Sequence, residues 1–490
     1  MARRLVHTFP SVLAVLGGLL FLLAPPAAAL DYKSMYERIG AHGVAIIEFT
    51  DEGIVGEHYF GTDGDGAQIN RDTLTPWGSI SASVTAATTL QLASDGLLDL
   101  SAPISTYLPQ LRGSALDQNR TTVLDLIHHT SGLPANLETG EHSTAGVVAA
   151  AAKLTELPHA GTHSYSNVGY SLLQAIIQEI SAAPIDATIN NTVSTVSGTG
   201  PLIADTKSFR KRVPHGYQPL FHTSIPVTVD PWESAIGAAF VAGSNEQLAT
   251  YAAWQLRQHR AHLSPGDLPR TKVSDVLSYG AGLYYETMQR RRGKEIEFVF
   301  HTGSTWGYSS YLGFTPEDNR GLLILTNEFG LRTQYDQQRR SNIRTFIHDY
   351  FHFAHVDPPS MFPTDIVVLA VEALIAAALA AAIVRSCLKW RHPNPPADAR
   401  AAFRRTTIPL LLGTGAALAV YYGLPLATSY EGYQLHIGAP DISALFWAIL
   451  VEIHVLTGVV VLREITWARA TQPGTLPQAR LGTGQRRRET

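Results

Sequence analysis

The sequence predicts an α+β protein: one antiparallel sheet is formed by strands from the N- and C-terminal parts of a large domain, with a flanking helical subdomain. β-rich runs open this domain, helical periodicity occupies its middle, and further β-rich runs close it. Three apolar stretches then follow, so we expect the domain to precede three transmembrane α-helices.

Two groups of β-rich runs predict the strands of this sheet. Residues 43–50 and 54–61 are separated by Asp51-Glu52-Gly53, which is typical of a hairpin turn. Near the other end of the domain, residues 316–319 form a turn within the second group. The strands of that group are predicted at residues 296–301, 308–314 and 321–326.

The middle of the domain is predicted to be helical. Residues 188–230 are polar, with scattered Pro and Gly, and predict a long surface loop near a site. An amphipathic helix over residues 334–353 closes a domain that spans residues 31–355. The helices of the middle part are predicted around residues 82–94, 123–128, 169–180 and 246–258.

The composition excludes a protein that works through a global charge. The 490 residues include 37 basic and 41 acidic ones, and the formal charge of −4 gives no field that would gather nucleic acid. Nucleic acid is therefore not an expected partner. The single cysteine, Cys387, cannot form an internal disulfide.

The N-terminus predicts export. Arg3 and Arg4 precede an apolar run over residues 12–24, and small residues follow up to Ala29. This order is typical of a secretory signal peptide, here residues 1–29. An uncleaved N-terminal anchor is the alternative.

Three apolar stretches near the C-terminus have the length of membrane spans: residues 366–384, 408–428 and 442–462. Buried core helices are the alternative. Several Lys and Arg residues lie between the first two stretches, whereas residues 429–441 contain none. The positive-inside rule then predicts a multi-pass protein of the cell membrane with an extracytoplasmic large domain. Its transmembrane region spans residues 365–468, and a basic cytoplasmic tail follows at 469–490.

Three short motifs follow one another along the large domain. Each alone is more typical of a helix cap or a turn than of a reactive site. The first runs into an Ala-rich stretch, the second opens a predicted helix and the third lies on a predicted strand. They are Gly78-Ser79-Ile80-Ser81-Ala82-Ser83, Tyr165-Ser166-Asn167 and His301-Thr302-Gly303-Ser304.

In their order, spacing and flanking residues, these motifs resemble the serine β-lactamase and penicillin-binding protein superfamily. The nearest branch holds class C β-lactamases, DD-peptidases and related esterases. The resemblance covers residues 31–327 and implies a β-lactamase/transpeptidase-like fold with acyl transfer to a serine.

The resemblance also implies roles for individual residues. Ser79 takes the position of the nucleophile, and the backbone N–H groups of Ser79 and Ser304 would form the oxyanion hole. Tyr165 matches the family's base, and Asn167 matches a polar substrate contact. His301 replaces the commoner lysine of the third motif, in which Thr302 and Gly303 complete the substrate-binding strand.

The chain departs from the family at one catalytic position. The first motif of the family is SxxK, and Ala82 stands where the lysine is expected. No lysine occurs between Lys33 and Lys153, so a shifted alignment does not restore the motif. Without that ammonium group, Tyr165 lacks the cation that would favour its phenolate. His301 could compensate, either as a cation beside Tyr165 or as a base.

Two functions remain open, and the sequence does not decide whether the chain is an enzyme. The first is a serine hydrolase weakened by loss of the lysine. The second is a non-catalytic pseudoenzyme that binds a cell-wall fragment or acyl-peptide. Either reading gives a small-molecule or peptide ligand, and no metal or cofactor is implied. The adjacent His128 and His129 are expected to mark a helix end rather than a metal site.

Overall fold

The computed structural model describes residues 30–137, 142–221, 223–261, 270–330, 333, 336–354, 364–428 and 440–470. The predicted signal peptide, the loop at 429–439 and the tail from residue 471 lie outside these residues. The chain divides into two compact units. One comprises residues 1–217, 226–329 and 336–360, and the other comprises residues 218–225, 330–335 and 361–490.

A large antiparallel sheet forms the centre of the first unit. Eight described strands hydrogen-bond in the order β2-β1-β12-β11-β10-β9-β8-β7, so strands from the two ends of the domain meet at β1 and β12. The strands are β1 Gly43–Thr50, β2 Gly53–Gly61, β3 Leu74–Pro76, β4 Gly216–Leu220, β5 Thr223–Val227, β6 Ala242–Ser244, β7 Thr271–Lys272, β8 Leu277–Gly280, β9 Leu283–Gln289, β10 Glu295–Thr305, β11 Tyr308–Thr315 and β12 Arg320–Thr326.

Both faces of the sheet are buried, because alternate residues of a strand contribute to different cores. On β1, Ile47 and Phe49 pack into the larger core with the helices of the middle part. Val44 and Ile46 pack into a second core, together with the first and last helices of the domain. The sheet is therefore the middle layer between two helical layers.

The helices of the first unit begin mostly at polar N-caps, such as Ser166 and Ser244, whose side chains accept backbone N–H bonds. They are α1 Tyr32–Ile39, α2 Ser81–Ser94, α3 Ala115–Gln118, α4 Val123–Ile127, α5 Thr144–Ala151, α6 Asn167–Ser181, α7 Ile185–Asn191, α8 Val193–Ser197, α9 Thr206–Arg212, α10 Asn245–Arg260 and α11 Gln337–Phe351.

These elements confirm the predicted α+β class, the N-terminal hairpin and the closing helix. The prediction of one long loop over residues 188–230 is wrong. Short helices α7 to α9 and the hairpin of β4 and β5 occupy much of that segment. Its polar composition concealed buried apolar side chains, among them Ile189, Val193 and Phe209, which hold these helices against the domain.

The second unit contains three long helices: α12 Thr364–Lys389, α13 Ala399–Thr428 and α14 Pro440–Ala470. Among the described residues, only 369–389 and 440–470 are long and apolar enough to cross a membrane. The prediction of a third span at 408–428 is thus not supported, although this stretch is helical. Helix α13 begins with Arg400, Arg404 and Arg405, and these charges occupy its first turns.

Candidate active site

Ser79 lies in a 3-10 turn, Gly78–Ile80, that leads directly into α2. A close backbone approach holds this turn against β10. Gly78 has a φ of +57°, and a Cβ added there would lie 2.3 Å from the Ser304 backbone nitrogen. A side chain at position 78 would therefore separate Ser79 from the strand.

Gly303 makes the reciprocal approach from β10. A Cβ at position 303 would lie 2.1 Å from the Trp77 carbonyl oxygen and 3.0 Å from the Ser79 backbone nitrogen. The Ser310 hydroxyl of β11 donates to the same Trp77 oxygen over 2.8 Å. The sheet thus fixes the backbone on both sides of Ser79 and brings it to the third motif.

The other polar residues of the first motif support the helix start. The Ser81 hydroxyl accepts the Val241 N–H over 3.1 Å, and the Ser83 hydroxyl donates to the Ile80 carbonyl over 2.7 Å. The Thr85 hydroxyl donates to the Gly237 carbonyl over 2.7 Å. These side chains have structural partners, which leaves Ser79 as the partly exposed hydroxyl of the motif.

Tyr165 is brought to Ser79 by the loop that precedes α6. The Ser79 hydroxyl is the polar neighbour that lowers the pKa of Tyr165, while burial, the larger effect, raises it. The net direction is upwards. The phenol of Tyr165 is therefore protonated at neutral pH.

His129 holds the Tyr165 loop in place, a role that the sequence did not reveal. Its carbonyl accepts the Ser164 N–H over 2.8 Å, and its Nδ1 accepts the Ser166 N–H over 3.2 Å. Its ring centroid lies 4.2 Å from that of Tyr165. Because Nδ1 is an acceptor, the proton of the neutral ring is on Nε2, which is buried without a hydrogen-bond partner.

Among the described residues, no lysine is one of the groups that shift the pKa of Tyr165. Ala82 is 1% exposed and lies in the first turn of α2. Lys153 and Lys207, the two candidates from elsewhere in the chain, are both solvent-exposed. Ser79 and Tyr165 therefore lie together, with alanine at the position where the resemblance predicts a lysine.

The histidines around Tyr165 do not supply a positive charge. Burial lowers the pKa of His301 to about 4, and it lowers the pKa of His129 well below its usual value. His163, whose ring lies 5.8 Å from that of His129, has its pKa lowered by the same cause. This burial argues against the expectation that a protonated His301 compensates for the lysine at neutral pH.

His301 is instead a neutral ring with one nitrogen free to accept a proton. Its Nδ1 donates to the Thr302 carbonyl over 2.6 Å, because a carbonyl oxygen can only accept. The lone pair is then on Nε2, which has no hydrogen-bond partner. The ring centroids of His301 and Tyr165 are 6.3 Å apart. The second expectation, that His301 acts as a base, remains open.

The strand beside Ser79 has one open edge. β10 pairs with β11 as far as Thr305, whereas its described pairing with β9 stops at Phe300. Along this end His301 and Gly303 are buried, and Thr302 and Ser304 are exposed. Because side chains alternate along a strand, Thr302 lies on the opposite face of β10 from Gly303, the residue that approaches Ser79.

Asn167 is the first residue of α6, two positions after Tyr165. Its side-chain amide donates to the Asn136 side chain over 3.0 Å, and it is partly exposed. A ligand could therefore reach it. Among the described residues, no group of three or more His, Cys, Asp or Glu side chains could hold a metal ion.

Comparisons with known proteins agree with this architecture. The β-lactamase family model matches residues 32–344. "Protein flp" of Staphylococcus aureus strain N315 is 25% identical over 286 residues, covering 54% of this chain and 55% of that protein. A putative D-alanyl-D-alanine carboxypeptidase of Salmonella heidelberg is 27% identical over 117 residues, covering 21% of this chain and 27% of the relative.

Solved structures of low sequence identity share the fold. The class C β-lactamase of Rhodobacter sphaeroides has a TM-score of 0.55 at 20% identity, covering 67% of this chain and 99% of that one. A β-lactamase/D-alanine carboxypeptidase of Pseudomonas syringae has a TM-score of 0.56 at 20% identity, covering 67% and 97%. The chain spans about half the length of the staphylococcal relatives. With the family model covering well over half of its residues, the chain belongs to the β-lactamase family.

Proposed function

We propose that this chain is a slow serine hydrolase, which transfers an acyl group from an ester or amide substrate to Ser79 and then to water. The observation that carries the proposal is the proximity of the Ser79 and Tyr165 side chains at a helix start packed against β10. A serine without a base beside it would be an ordinary helix-capping residue.

The proposed reaction follows from the placement of these groups. Tyr165 first loses its own proton. The Ser79 oxygen then attacks the substrate carbonyl, and the Ser79 proton passes to the Tyr165 phenolate. The backbone N–H groups of Ser79 and Ser304 stabilise the oxyanion, and the helix N-terminus adds a favourable dipole. Tyr165 then returns the proton to the leaving group. Water then attacks the carbonyl of the acyl-enzyme and gives its proton to the Tyr165 phenolate. Tyr165 returns this proton to the Ser79 oxygen, which releases the acid.

The slow rate follows from the protonation state of Tyr165. At its ordinary pKa of about 10, roughly one tyrosine in a thousand is a phenolate at pH 7. Burial of Tyr165 reduces that fraction further. Nε2 of His301 has no hydrogen-bond partner, and with its pKa lowered to about 4 this ring is too weak a base to take the proton of Tyr165, so we propose that the phenolate forms by loss of the proton to solvent. A neutral imidazole is a weaker substitute for the lost lysine because it supplies no charge to the phenolate.

The open edge of β10 favours an extended substrate. Backbone groups of residues 301–305 lack a β9 partner, so an extended peptide or acyl-amide could pair with them as an added strand. The relatives include a protein named as a putative D-alanyl-D-alanine carboxypeptidase. We therefore propose a short acyl-peptide of the cell-wall type as the substrate class.

Ligand binding without turnover is the second candidate, and one observation favours it. Ala82 removes the lysine while Ser79, Tyr165 and the open β10 edge remain in place. Such a protein would hold the acyl-peptide in the same cleft without forming an acyl-enzyme.

Covalent labelling separates the two candidates. The purified full chain is treated with a fluorophosphonate and with a fluorescent penicillin, and intact mass is measured for the wild type and for Ser79→Ala. We expect slow labelling of the wild type by the fluorophosphonate and none of the variant. Ser81→Ala is the matched control, because Ser81 bonds to Val241 and should keep the label. Absence of label in the wild type after long exposure would favour binding without turnover.

We also propose that α12 and α14 hold the domain at the outer face of the cytoplasmic membrane. Large apolar side chains such as Leu374 and Val451 are exposed on these helices, which suits a lipid environment. The basic segment between α12 and α13 supports a cytoplasmic location for the C-terminal end of α12.

The single cysteine tests this orientation without any mutation. Cys387 is exposed near the end of α12. A membrane-impermeant maleimide should leave it unlabelled in intact cells and should label it after permeabilisation. Labelling from outside would reverse the proposed orientation, and recovery of the chain in the soluble fraction would contradict membrane attachment.

A further inference from the structure

A cavity of about 650 Å³ lies in the second unit, at one end of its three helices. Residues from the end of α12, the following segment, the start of α13 and the end of α14 line it. Most of the charged side chains that line the cavity are basic. Its basic side chains are Lys389, His392, Arg404, Arg405 and Arg463, against a single acidic one, Glu464.

The single carboxylate does not neutralise the cavity. Glu464 is buried and is already engaged by Arg463 at 2.9 Å and by Arg405 at 3.6 Å. Among the described residues, Lys389 and Arg404 make no ion pair, and both are exposed. The cavity therefore presents two cations that a bound anion could neutralise.

A second observation also points to an acceptor ligand. Trp467 lines the cavity and is 7% exposed, and its indole N–H is buried without a hydrogen-bond partner. An indole nitrogen can only donate, so an unpaired buried one costs free energy until an acceptor reaches it. Arg463 stacks over the same ring at 5.0 Å, which keeps a positive charge beside this donor.

The remaining wall of the cavity is apolar. Ile408, Pro409 and Val460 line it, and the neighbouring Leu411 and Leu412 of α13 are exposed. A fully soluble anion would leave this surface uncovered. A ligand with an anionic head and hydrocarbon tails would satisfy both parts of the cavity.

We propose that this cavity binds the headgroup of an anionic phospholipid, with its acyl chains along α13 and α14. The inference rests on the proposed membrane attachment and is independent of catalysis at Ser79. A basic pocket between membrane helices on the cytoplasmic side is a physically favourable place for such a headgroup. The lipid would tie the three helices together at one end.

Binding to lipid and to free phosphate can be separated with defined probes. The purified full chain in neutral detergent is titrated calorimetrically with dioctanoyl-phosphatidylglycerol, with dioctanoyl-phosphatidylcholine and with inorganic phosphate. We expect the chain to bind dioctanoyl-phosphatidylglycerol more tightly than either of the other two ligands. Equal affinity for phosphatidylcholine would contradict recognition of the anionic head, and phosphate binding as tight as the lipid would make this a site for a soluble anion.

Charge removal tests the residues. Lys389→Gln with Arg404→Gln should weaken phosphatidylglycerol binding by about fivefold for each charge removed, or about 25-fold together. The matched control, Arg391→Gln with Arg400→Gln, removes two charges from the same segment outside the cavity and should change affinity by less than about twofold. Equal losses of affinity in the two double variants would mean that the lipid is attracted by general surface charge and not by this cavity. That result would overturn the proposal.

A charge-preserving variant guards against a folding defect. Lys389→Arg with Arg404→Lys should retain affinity close to wild type. Trp467→Phe keeps the ring and removes the N–H donor, so it should weaken binding by about fivefold, the value of one hydrogen bond. Wild-type affinity in Trp467→Phe would show that the indole does not contact the headgroup.

Discussion

The two sides of Ser79 differ in how much of the acyl-transfer machinery they retain. The oxyanion side, formed by Gly78, the Ser79 nitrogen, Gly303 and Ser304, is held by backbone contacts so close that neither glycine could carry a side chain. The proton side contains no cation at neutral pH, although His129 still holds the Tyr165 loop through hydrogen bonds. This side consists of Ala82, His129, Tyr165 and His301.

This contrast indicates which part of the site limits the rate. Substitution of one side chain does not remove a backbone N–H group. Substitution of the lysine in the first motif, by contrast, removes the positive charge of the proton side. On the proposed mechanism, the chain has the geometry that would stabilise a developing oxyanion and lacks the charge that would activate Ser79.

Restoring the lysine should have the largest effect on this contrast. Ala82→Lys is expected to raise the rate of fluorophosphonate acylation by about 100-fold to 10,000-fold, the usual contribution of general-base help. Ala82→Met has a similar length without charge and controls for the larger side chain. A rise of the same size in Ala82→Met would mean that packing, and not charge, limits the proton side.

Disturbing the oxyanion side should have the next largest effect. Gly303→Ala adds a Cβ 2.1 Å from the Trp77 carbonyl, which must displace the Ser79 turn. We expect acylation of the Ala82→Lys background to fall by about 100-fold to 1,000-fold, as when an oxyanion donor is lost. Gly169→Ala, where the nearest atom would be 3.6 Å away, is the matched control and should acylate normally.

Loosening the Tyr165 loop should have a smaller effect. His129 has a φ of +56° and accepts the Ser166 N–H, so His129→Ala loses the acceptor and adds backbone strain. We expect about tenfold slower acylation, equivalent to loss of roughly one hydrogen bond. Asn at this position tolerates a positive φ and offers an acceptor oxygen, so His129→Asn should recover part of the rate. Equal rates in Ala and Asn variants would argue against positioning through Nδ1.

Lowering the pH is expected to have the smallest effect on this contrast, because it acts on the stability of the whole domain. Burial lowers the pKa of His301 and His259 to about 4, so the unfolded chain binds more protons between pH 6.5 and pH 4. The contribution of each histidine to the free energy of unfolding should be fully present above pH 6.5. It should decrease as the pH falls through this window, by on the order of 2 kcal/mol for each group at pH 5. Denaturant unfolding of the wild type and of His259→Gln measures it. A pH dependence that does not weaken in His259→Gln would contradict a neutral His259.

Much of this organisation is visible in the sequence. β-rich runs separated by turn residues predicted the strands at both ends, and the resemblance carried by the three motifs predicted that Ser79, Tyr165 and His301 lie together. The role of His129 was not predictable, because its carbonyl and ring contact a loop about 35 residues later in the chain. The protonation of His301 was also inaccessible, since it depends on burial that only the packed structure defines. The helices within residues 188–230 were missed because their apolar residues are few and widely spaced.

The pH dependence of acylation tests the central claim most directly: the nucleophile is correctly placed but lacks a neighbouring cation. Fluorophosphonate acylation of the wild type is followed by intact mass from about pH 6 to about pH 10, beside Ala82→Lys. Because the pKa of Tyr165 is raised, the wild-type rate should climb about tenfold per pH unit across the whole range, whereas the lysine variant should level off at lower pH. A wild-type rate that levels off below about pH 8 would contradict the account, since it would require a charged group or a stronger base beside Ser79.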